Sequence, residues 1–506
     1  MGSPRDGDAA YTGAMEPRAG LILANRAYLD HSLPPGSAEP PSPPGGGLVA
    51  ALRAAVAPGI STGDTVWIGA GRGEADRAHI DDLGREIIAT ARGPLQHRRL
   101  FFDDRTWASH YAAVSNEFLW PLLHLGQRDL PEVTDYYPRP ALPGDNDWIA
   151  YERVNRAFSA AAMEENPGRT AWVHDYQLAL VPGLLRQSGF RDPIGFFLHT
   201  PFPSIEIARR YLPSAELRMF RAWCEGMLGA DLIAFQTEED VERFRVAAVE
   251  FGAVLRVDGL SFGDRQVELR AIPVGIDVDA PGQETSVGMS TVLAEAVGLA
   301  RIRDLRLVVA LERADYTKGI PERHRALADA ARRGVRFAYL GISAPTRAGV
   351  AGYDELGKAI ADSAAMAGDI IRLAGGSFDY RQVSVNWSDV VGLLSEADVV
   401  FTASLADGMN LVPLQAALAQ SRRPRMERGT IMSGRGAGVS SAYRDMERDG
   451  LISVDPLDME RTTETLIAAI EGRLDRTSDR LVAAVNRKSA QAWATEFLGE
   501  LEGTRC

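Results

Sequence analysis

The stretch ELRAIPVGIDVDAPG, residues 268–282, decides the fold. It ends a strand of alternating apolar residues in a turn-rich run. Before it, short runs rich in branched residues (TVWIGA, TAWVHD, PIGFFLH, DLIAFQ) alternate with longer helical patterns such as WIAYERVNRAFSAAAMEEN. After it the same alternation restarts with RLVVALER, RFAYLGI and DVVFTASL. Strand and helix alternating in this way predict an α/β fold with parallel sheets covered on both faces. Two such series predict two doubly wound domains facing across a cleft, with a boundary near residue 278. Ligand-binding loops are then expected at the carboxyl ends of the strands. The first domain is expected over 21–277 and the second over 278–484, with a final helix over 485–503 packing back on the first.

Composition agrees with that plan. A chain of 506 residues exceeds one ordinary core, and 45% hydrophobic with 24% charged residues describes a globular protein. A formal charge of −13 argues against coating nucleic acid or an anionic membrane and favours small-molecule partners, with homo-oligomerisation left open. The two cysteines, Cys224 and Cys506, give neither a disulfide framework nor a zinc spacing. With no apolar run of signal-peptide or membrane-spanning length, a cytoplasmic protein is expected. LPPGSAEPPSPPGGG, residues 33–47, reads as a mobile loop inside the first domain.

LERADYTKGIPER places Arg313 and Lys318 just past a strand, one a planar fork and one a point charge, suited to neutralising a diphosphate leaving group. Lysine occurs only at positions 318, 358 and 488, so Lys318 stands out from background. Arg26 ends the opening strand and Arg347 follows RFAYLGI, so arginines from both domains can meet one small phosphate. The glycines Gly45, Gly46 and Gly47 let backbone amides approach an oxygen-rich ligand. Asp175 and His199 follow two further strands, where one can orient sugar hydroxyls and the other touch a donor sugar near its reacting carbon. Trp67, Tyr111 and Trp120 can offer faces to sugar rings or serve as core. GAGRGE at Gly69 is only loosely a dinucleotide pattern. The pair Asp277 and Asp279 is too short a motif to carry a metal, and none is expected.

In SLADGMNLVPLQ, residues 404–415, an acid, a glycine and an asparagine stand where a strand opens into a helix, an arrangement that suits a charged, hydroxyl-rich ligand.

Taken together, these motifs resemble the trehalose-6-phosphate synthase family, glycosyltransferases of GT-B fold, over residues 21–498. The resemblance rests on Asn25 and Arg26, the glycines before Leu48, SNEFLWP, VHDYQL, GFFLHTPFPSIEI, ERADYTKGIPER, Arg347 and DGMNL. It implies a retaining, metal-independent transfer of a sugar from a nucleoside diphosphate donor to a phosphorylated sugar, without a cofactor. By resemblance Arg26, Tyr111, Trp120 and Arg347 hold the acceptor and its phosphate, and Asp175 orients it. Arg313 and Lys318 bind the donor diphosphate. His199, Gly46, Gly47 and the run Asp407, Gly408, Met409, Asn410, Leu411 hold the rest of the donor.

The chain departs from the family in two places. DGMNLVAKE becomes DGMNLVPLQ, with Leu414 for lysine and Gln415 for the glutamate that meets the ribose. The run RPRMERGTIMSGRGAGVSSAY changes the context beside the nucleotide at Gly434 and Arg435. Two alternatives therefore stand beside a plain synthase. One is a pseudo-glycosyltransferase that joins a nucleotide-activated cyclitol to an amino sugar or aminocyclitol. The other is a non-catalytic regulator that binds sugar phosphate.

Overall fold

The computed structural model describes residues 20–32, 47–56, 65–90, 93–126, 128–166, 168–279, 289–347, 349–350 and 352–504. Its first sheet has ten strands: β1 (Leu21–Arg26), β2 (Val66–Ala70), β3 (Arg85–Thr90), β4 (Gly93–Leu100), β5 (Ala171–His174), β6 (Ile194–Phe197), β7 (Leu232–Phe235), β8 (Val254–Leu255), β9 (Gly259–Phe262) and β10 (Arg265–Ala271). They lie in the order β3-β4-β2-β1-β5-β6-β7-β10-β9-β8. The second sheet holds β11 (Arg306–Arg313), β12 (Phe337–Ala344), β13 (Ser377–Arg381), β14 (Val399–Thr402), β15 (Thr430–Gly434) and β16 (Leu451–Val454), in the order β13-β12-β11-β14-β15-β16. Every pairing in this second sheet is parallel.

The expectation of parallel sheets needs correction at the edges of the first. β3 pairs antiparallel with β4, and β8, β9 and β10 form an antiparallel meander. Of these, β3, β4 and β10 are only half-buried and carry charged residues that alternate or cluster, so they lack the continuous apolar run that marks the interior. The central strands have that run: Leu21, Ile22, Leu23, Trp172, Val173, Phe196 and Phe197 are fully buried.

Trp67 is corrected as well. It is fully buried in β2, and its indole N–H donates to the Arg26 carbonyl at 3.0 Å, so it belongs to the core and not to a sugar-facing wall. Gly45, Gly46 and most of the proline-rich loop lie outside the described residues. Gly47 opens the helix Gly47–Val56 instead of continuing that loop.

Helix Ala490–Gly503 seats Trp493 and Phe497 against Trp172, with ring centroids 5.0 Å from it in both cases. Trp493 also meets His174 and His199, so the end of the chain packs behind the strand ends that carry the site. Arg128 and Asp455 join the two sheet units through a forked ion pair, with Nη1 to Oδ1 at 2.7 Å, and Tyr136 donates to Glu322 across the same junction.

Candidate functional site

The strand ends converge on one cleft. Among the described residues only four non-glycine residues have positive φ, and three of them were singled out from the sequence: Asp175 (73°), Arg347 (49°) and Asn410 (59°). Such conformations cost of order 1–3 kcal/mol each and persist where surrounding structure enforces them, most often at functional sites.

On one side stands the cationic pair. β11 delivers Arg313, and the chain turns through Asp315, whose Oδ1 accepts from the Thr317 amide at 3.1 Å. Lys318 follows in the same turn and pairs with Asp407, both largely buried. Asp407 opens the DGMNL loop. Its amide donates to the Gly436 carbonyl at 3.0 Å, its carbonyl accepts from Gly438 at 3.1 Å, and Val439 donates to Met409 at 2.9 Å. The Asn410 side-chain Nδ2 donates to Ser404 Oγ at 3.0 Å. The loop backbone is thus stitched to residues 436–439, and the close approach explains a glycine. A Cβ on Gly434 would lie 2.1 Å from the Ser404 carbonyl oxygen. Gly408 is tighter still, because its Cβ would lie 1.8 Å from the His199 carbonyl oxygen, so this loop of the second unit rests directly on a strand end of the first.

Leu411 precedes the helix Val412–Gln420, with Pro413 in its first turn. Proline removes one of the orphan N–H groups there and supports the helical start. Gln415 is partly exposed on that helix, and its carboxamide bonds no described residue. Met409 and Leu414 are buried in the core, which gives both a packing role. Arg435 is exposed beside the loop.

Beside this pair stands an arginine with three partners. Arg347 Nη1 donates to Asp315 Oδ2 at 2.9 Å and to the Tyr353 hydroxyl at 2.6 Å, and Tyr353 in turn donates to Asp315 Oδ2 at 2.9 Å. Its guanidinium lies 3.7 Å over the Trp120 ring, with that of Arg313 at 5.5 Å. Trp120 belongs to the first unit and both arginines to the second, so this stack crosses the cleft. Burial alone would push Asp315 up, but Arg347, Arg313 and Lys318 outweigh it and hold its carboxyl well below the usual range.

Arg26 Nη2 donates to the Tyr111 hydroxyl at 3.2 Å. Tyr111 sits on an eleven-residue π-helix, Ser109–Leu119, where the Asn116 side-chain amide donates to the Tyr111 carbonyl at 2.7 Å. π-Helical turns are rare and gather at functional sites.

Asp175 and His199 lie at the strand ends of the first sheet, with the His199 carbonyl against Gly408 of the DGMNL loop. Asp175 Oδ1 accepts from the His199 amide at 3.3 Å. Burial raises its pKa to about 7, against the lowering pull of the Tyr176 and His199 amides and of Arg347. Burial lowers that of His199 to about 3, so its imidazole is neutral. His199 Nε2 lies 3.2 Å from His174 Nδ1, and His174 Nε2 is buried with no partner among the described residues. A bare lone pair costs less there than an orphaned N–H, so His174 carries its proton on Nδ1 and donates it to His199. His199 then keeps its own proton on Nδ1, as a donor.

The fold therefore brings together Arg26, Tyr111, Trp120, Asp175, His199, Arg313, Lys318, Arg347 and the loop from Asp407 to Leu411. Gly46 lies outside the described residues, and the position of Gly47 at a helix start gives no contact to the others. Sequence reasoning missed Asp315 and Tyr353, which fix Arg347. The acid two residues after Arg313 was a usable signal for the first; the second lies on a helix, Tyr353–Leu373, with no motif to mark it. Among the described residues no cluster of histidine, cysteine and carboxylates has a metal-holding arrangement, and no helix is long and apolar enough to cross a membrane.

Comparison with known proteins gives a consistent picture. An α,α-trehalose-phosphate synthase (UDP-forming) of Schizosaccharomyces pombe is 28% identical over 426 residues, covering 80% of this chain and 76% of its own length. A second such enzyme, from Aspergillus niger, is 28% identical over 510 residues, covering 95% and 96%. In structure, the Burkholderia xenovorans synthase in complex with glucose-6-phosphate superposes with a TM-score of 0.76 at 23% identity, covering 96% of this chain and 99% of that one. An E. coli structure bound with UDP-2-fluoro glucose gives 0.76 at 20%, covering 95% and 98%. These superpositions establish the GT-B fold. The model for glycosyltransferase family 20 matches residues 43–503, and with nearly the whole sequence inside that match, the chain belongs to glycosyltransferase family 20.

Proposed function

We propose that the protein is a metal-independent, retaining glycosyltransferase that moves a sugar from a nucleoside diphosphate to a phosphorylated sugar, in the manner of its trehalose-phosphate synthase relatives. The observation that carries this reading is the cross-cleft stack of Arg347 and Arg313 on Trp120, flanked by Lys318 on one side and by Arg26 with Tyr111 on the other. Two anions can then be held at opposite ends of one site, with Asp175 and His199 between them.

In this reading Arg313 and Lys318 neutralise the departing diphosphate, supplying the charge stabilisation that other transferases draw from a metal. The bond from the sugar's anomeric carbon to the diphosphate oxygen breaks, and the acceptor oxygen bonds that carbon on the same face. The acceptor's proton passes to the leaving diphosphate. Asp175, strained and with its pKa raised to about 7, orients hydroxyls by hydrogen bonding and does not attack. His199 Nδ1–H meets the donor sugar, and the DGMNL amides hold it. The division into a 21–277 acceptor unit and a 278–484 donor unit, with 485–503 returning to the first, belongs to the same proposal, as does a cytoplasmic setting.

The test is mass spectrometry of reactions with glucose 6-phosphate and uridine-, guanosine-, adenosine- and thymidine-diphosphate glucoses. A disaccharide phosphate with the matching nucleoside diphosphate supports the reading, and no product from a folded protein overturns it. Gln415 favours one second reading: a ribose contact without its carboxylate fits a pseudo-glycosyltransferase whose donor ring is a cyclitol, and a nitrogen-linked product would identify it.

A further inference from the structure

Arg72 lies in the turn after β2. The register pairs Arg26 of β1 with Ala70 of β2, so the two strand ends run side by side. Their backbones are in contact, since a Cβ on Gly69 would lie 2.7 Å from the Arg26 carbonyl oxygen. Fully buried Asp76 then fixes both exits. Its Oδ2 accepts from the Arg72 amide at 2.5 Å, its Oδ1 accepts from the His31 amide at 2.9 Å, and Arg99 Nη1 lies 3.0 Å from Oδ1. One carboxylate therefore ties the turn after β2 to the turn after β1.

The Arg72 backbone does this structural work, and its side chain does not. That side chain is exposed and makes no hydrogen bond or ion pair with a described residue. Its charge nevertheless reaches the site. Burial pushes the Tyr111 phenol up, but Arg26, Arg347 and Arg72 outweigh burial and hold it below its ordinary value. Asp30, half-buried and raised by desolvation, feels Arg72 as its strongest cationic neighbour without forming an ion pair with it.

Charge balance gives this third arginine a purpose. Arg347 is already matched by Asp315 at 2.9 Å, which leaves Arg26 as the arginine of the expected phosphate pair without an ion-pair partner among the described residues. We propose that Arg72 is a specificity-determining cation of the acceptor pocket, forming with Arg26 and Arg347 a cradle for a phosphomonoester dianion. The proposal rests on the acceptor reading given above. A second guanidinium outside any ion pair matches the second negative charge, which a monoanionic ester lacks.

Titration calorimetry without donor tests it, using glucose 6-phosphate, glucose 6-sulfate and glucose with the parent, Arg72→Gln, Arg72→Lys and Arg26→Gln. Arg72→Gln is expected to weaken glucose 6-phosphate about tenfold while changing glucose 6-sulfate by less than about threefold, and Arg72→Lys to restore most of the loss. Because the side chain is exposed, folding is unaffected. If Arg72→Gln binds glucose 6-phosphate like the parent while Arg26→Gln loses it, the role of Arg72 is overturned and the acceptor reading stands. Equal weakening of phosphate and sulfate also overturns the role assigned to the second charge. A parent protein that binds none of the three overturns the acceptor reading and Arg72 together.

Discussion

Lys318 Nζ and the Asp407 carboxylate form an ion pair that links the turn after β11 to the DGMNL loop. In the function proposed above the same lysine meets the donor diphosphate, and the ion pair holds it in a largely buried position until that anion arrives. Lys318→Ala should lower kcat by about 100- to 1,000-fold, the range for losing one preorganised charge-stabilising group. Circular dichroism and melting should show a folded protein, and steady-state turnover with the accepted nucleotide sugar is the measurement. Parent-like turnover would remove Lys318 from the donor clamp.

Asp175 should give stability a pH dependence of unusual sign. Its pKa is raised to about 7 in the folded protein from 3.8, so folding favours the protonated form. That contribution is fully present below the unfolded value and is lost as pH rises through about 7, up to about 4 kcal/mol across the window. Asp175→Asn cannot ionise. Its melting temperature relative to the parent should therefore rise between pH 5 and pH 8; a constant difference across that range would refute the shift.

Gln415 is expected to weaken the ribose contact. Replacing it with glutamate restores a charge-assisted acceptor worth about 1–2 kcal/mol, so Gln415→Glu should tighten an ordinary nucleotide sugar roughly tenfold. Equilibrium binding of uridine- and guanosine-diphosphate glucose measures this. Unchanged affinity for both would mean that the carboxamide does not meet the ribose.

The His174–His199 contact predicts a fixed tautomer. Nitrogen-15 spectra of the folded protein should show His199 protonated at Nδ1 and bare at Nε2, and neutral well below pH 6 because burial lowers its pKa to about 3. His174→Phe removes the donor and should leave His199 as a tautomeric mixture. A His199 protonated at Nε2 in the parent would reverse the assignment.

How much of this was legible in the sequence depends on what kind of signal each feature leaves. The interior strands were legible because burial on both faces demands unbroken apolar runs, as in LVVAL of β11. β3 and β8 were not, because a short edge strand with exposed residues looks like a loop. Arg313, Lys318 and Arg347 could be found as cations after strands. Trp67 misled because an indole at a strand end reads the same whether it faces ligand or core, and only the Arg26 carbonyl opposite its N–H decides. Tyr353 and Arg72 were missed for a shared reason: their influence depends on groups distant in the chain, Asp315 for one, Tyr111 and Arg26 for the other. The left-handed backbone at Asp175 was equally hidden, since aspartate is not the residue that ordinarily announces it.

The π-helix that carries Tyr111 makes the length of this segment matter as much as its residues. An α-helix advances about 100° per residue, while each π turn absorbs one residue more. Deleting a single residue between Tyr111 and Trp120 would let one π turn rewind as α-helix and rotate Tyr111 by about 100° relative to Trp120, away from Arg26. No point substitution elsewhere could bring the hydroxyl back. The spacing between these two aromatics thus acts as a constraint separate from their identity, and a one-residue insertion or deletion there should cost more activity than a substitution of the residues between them.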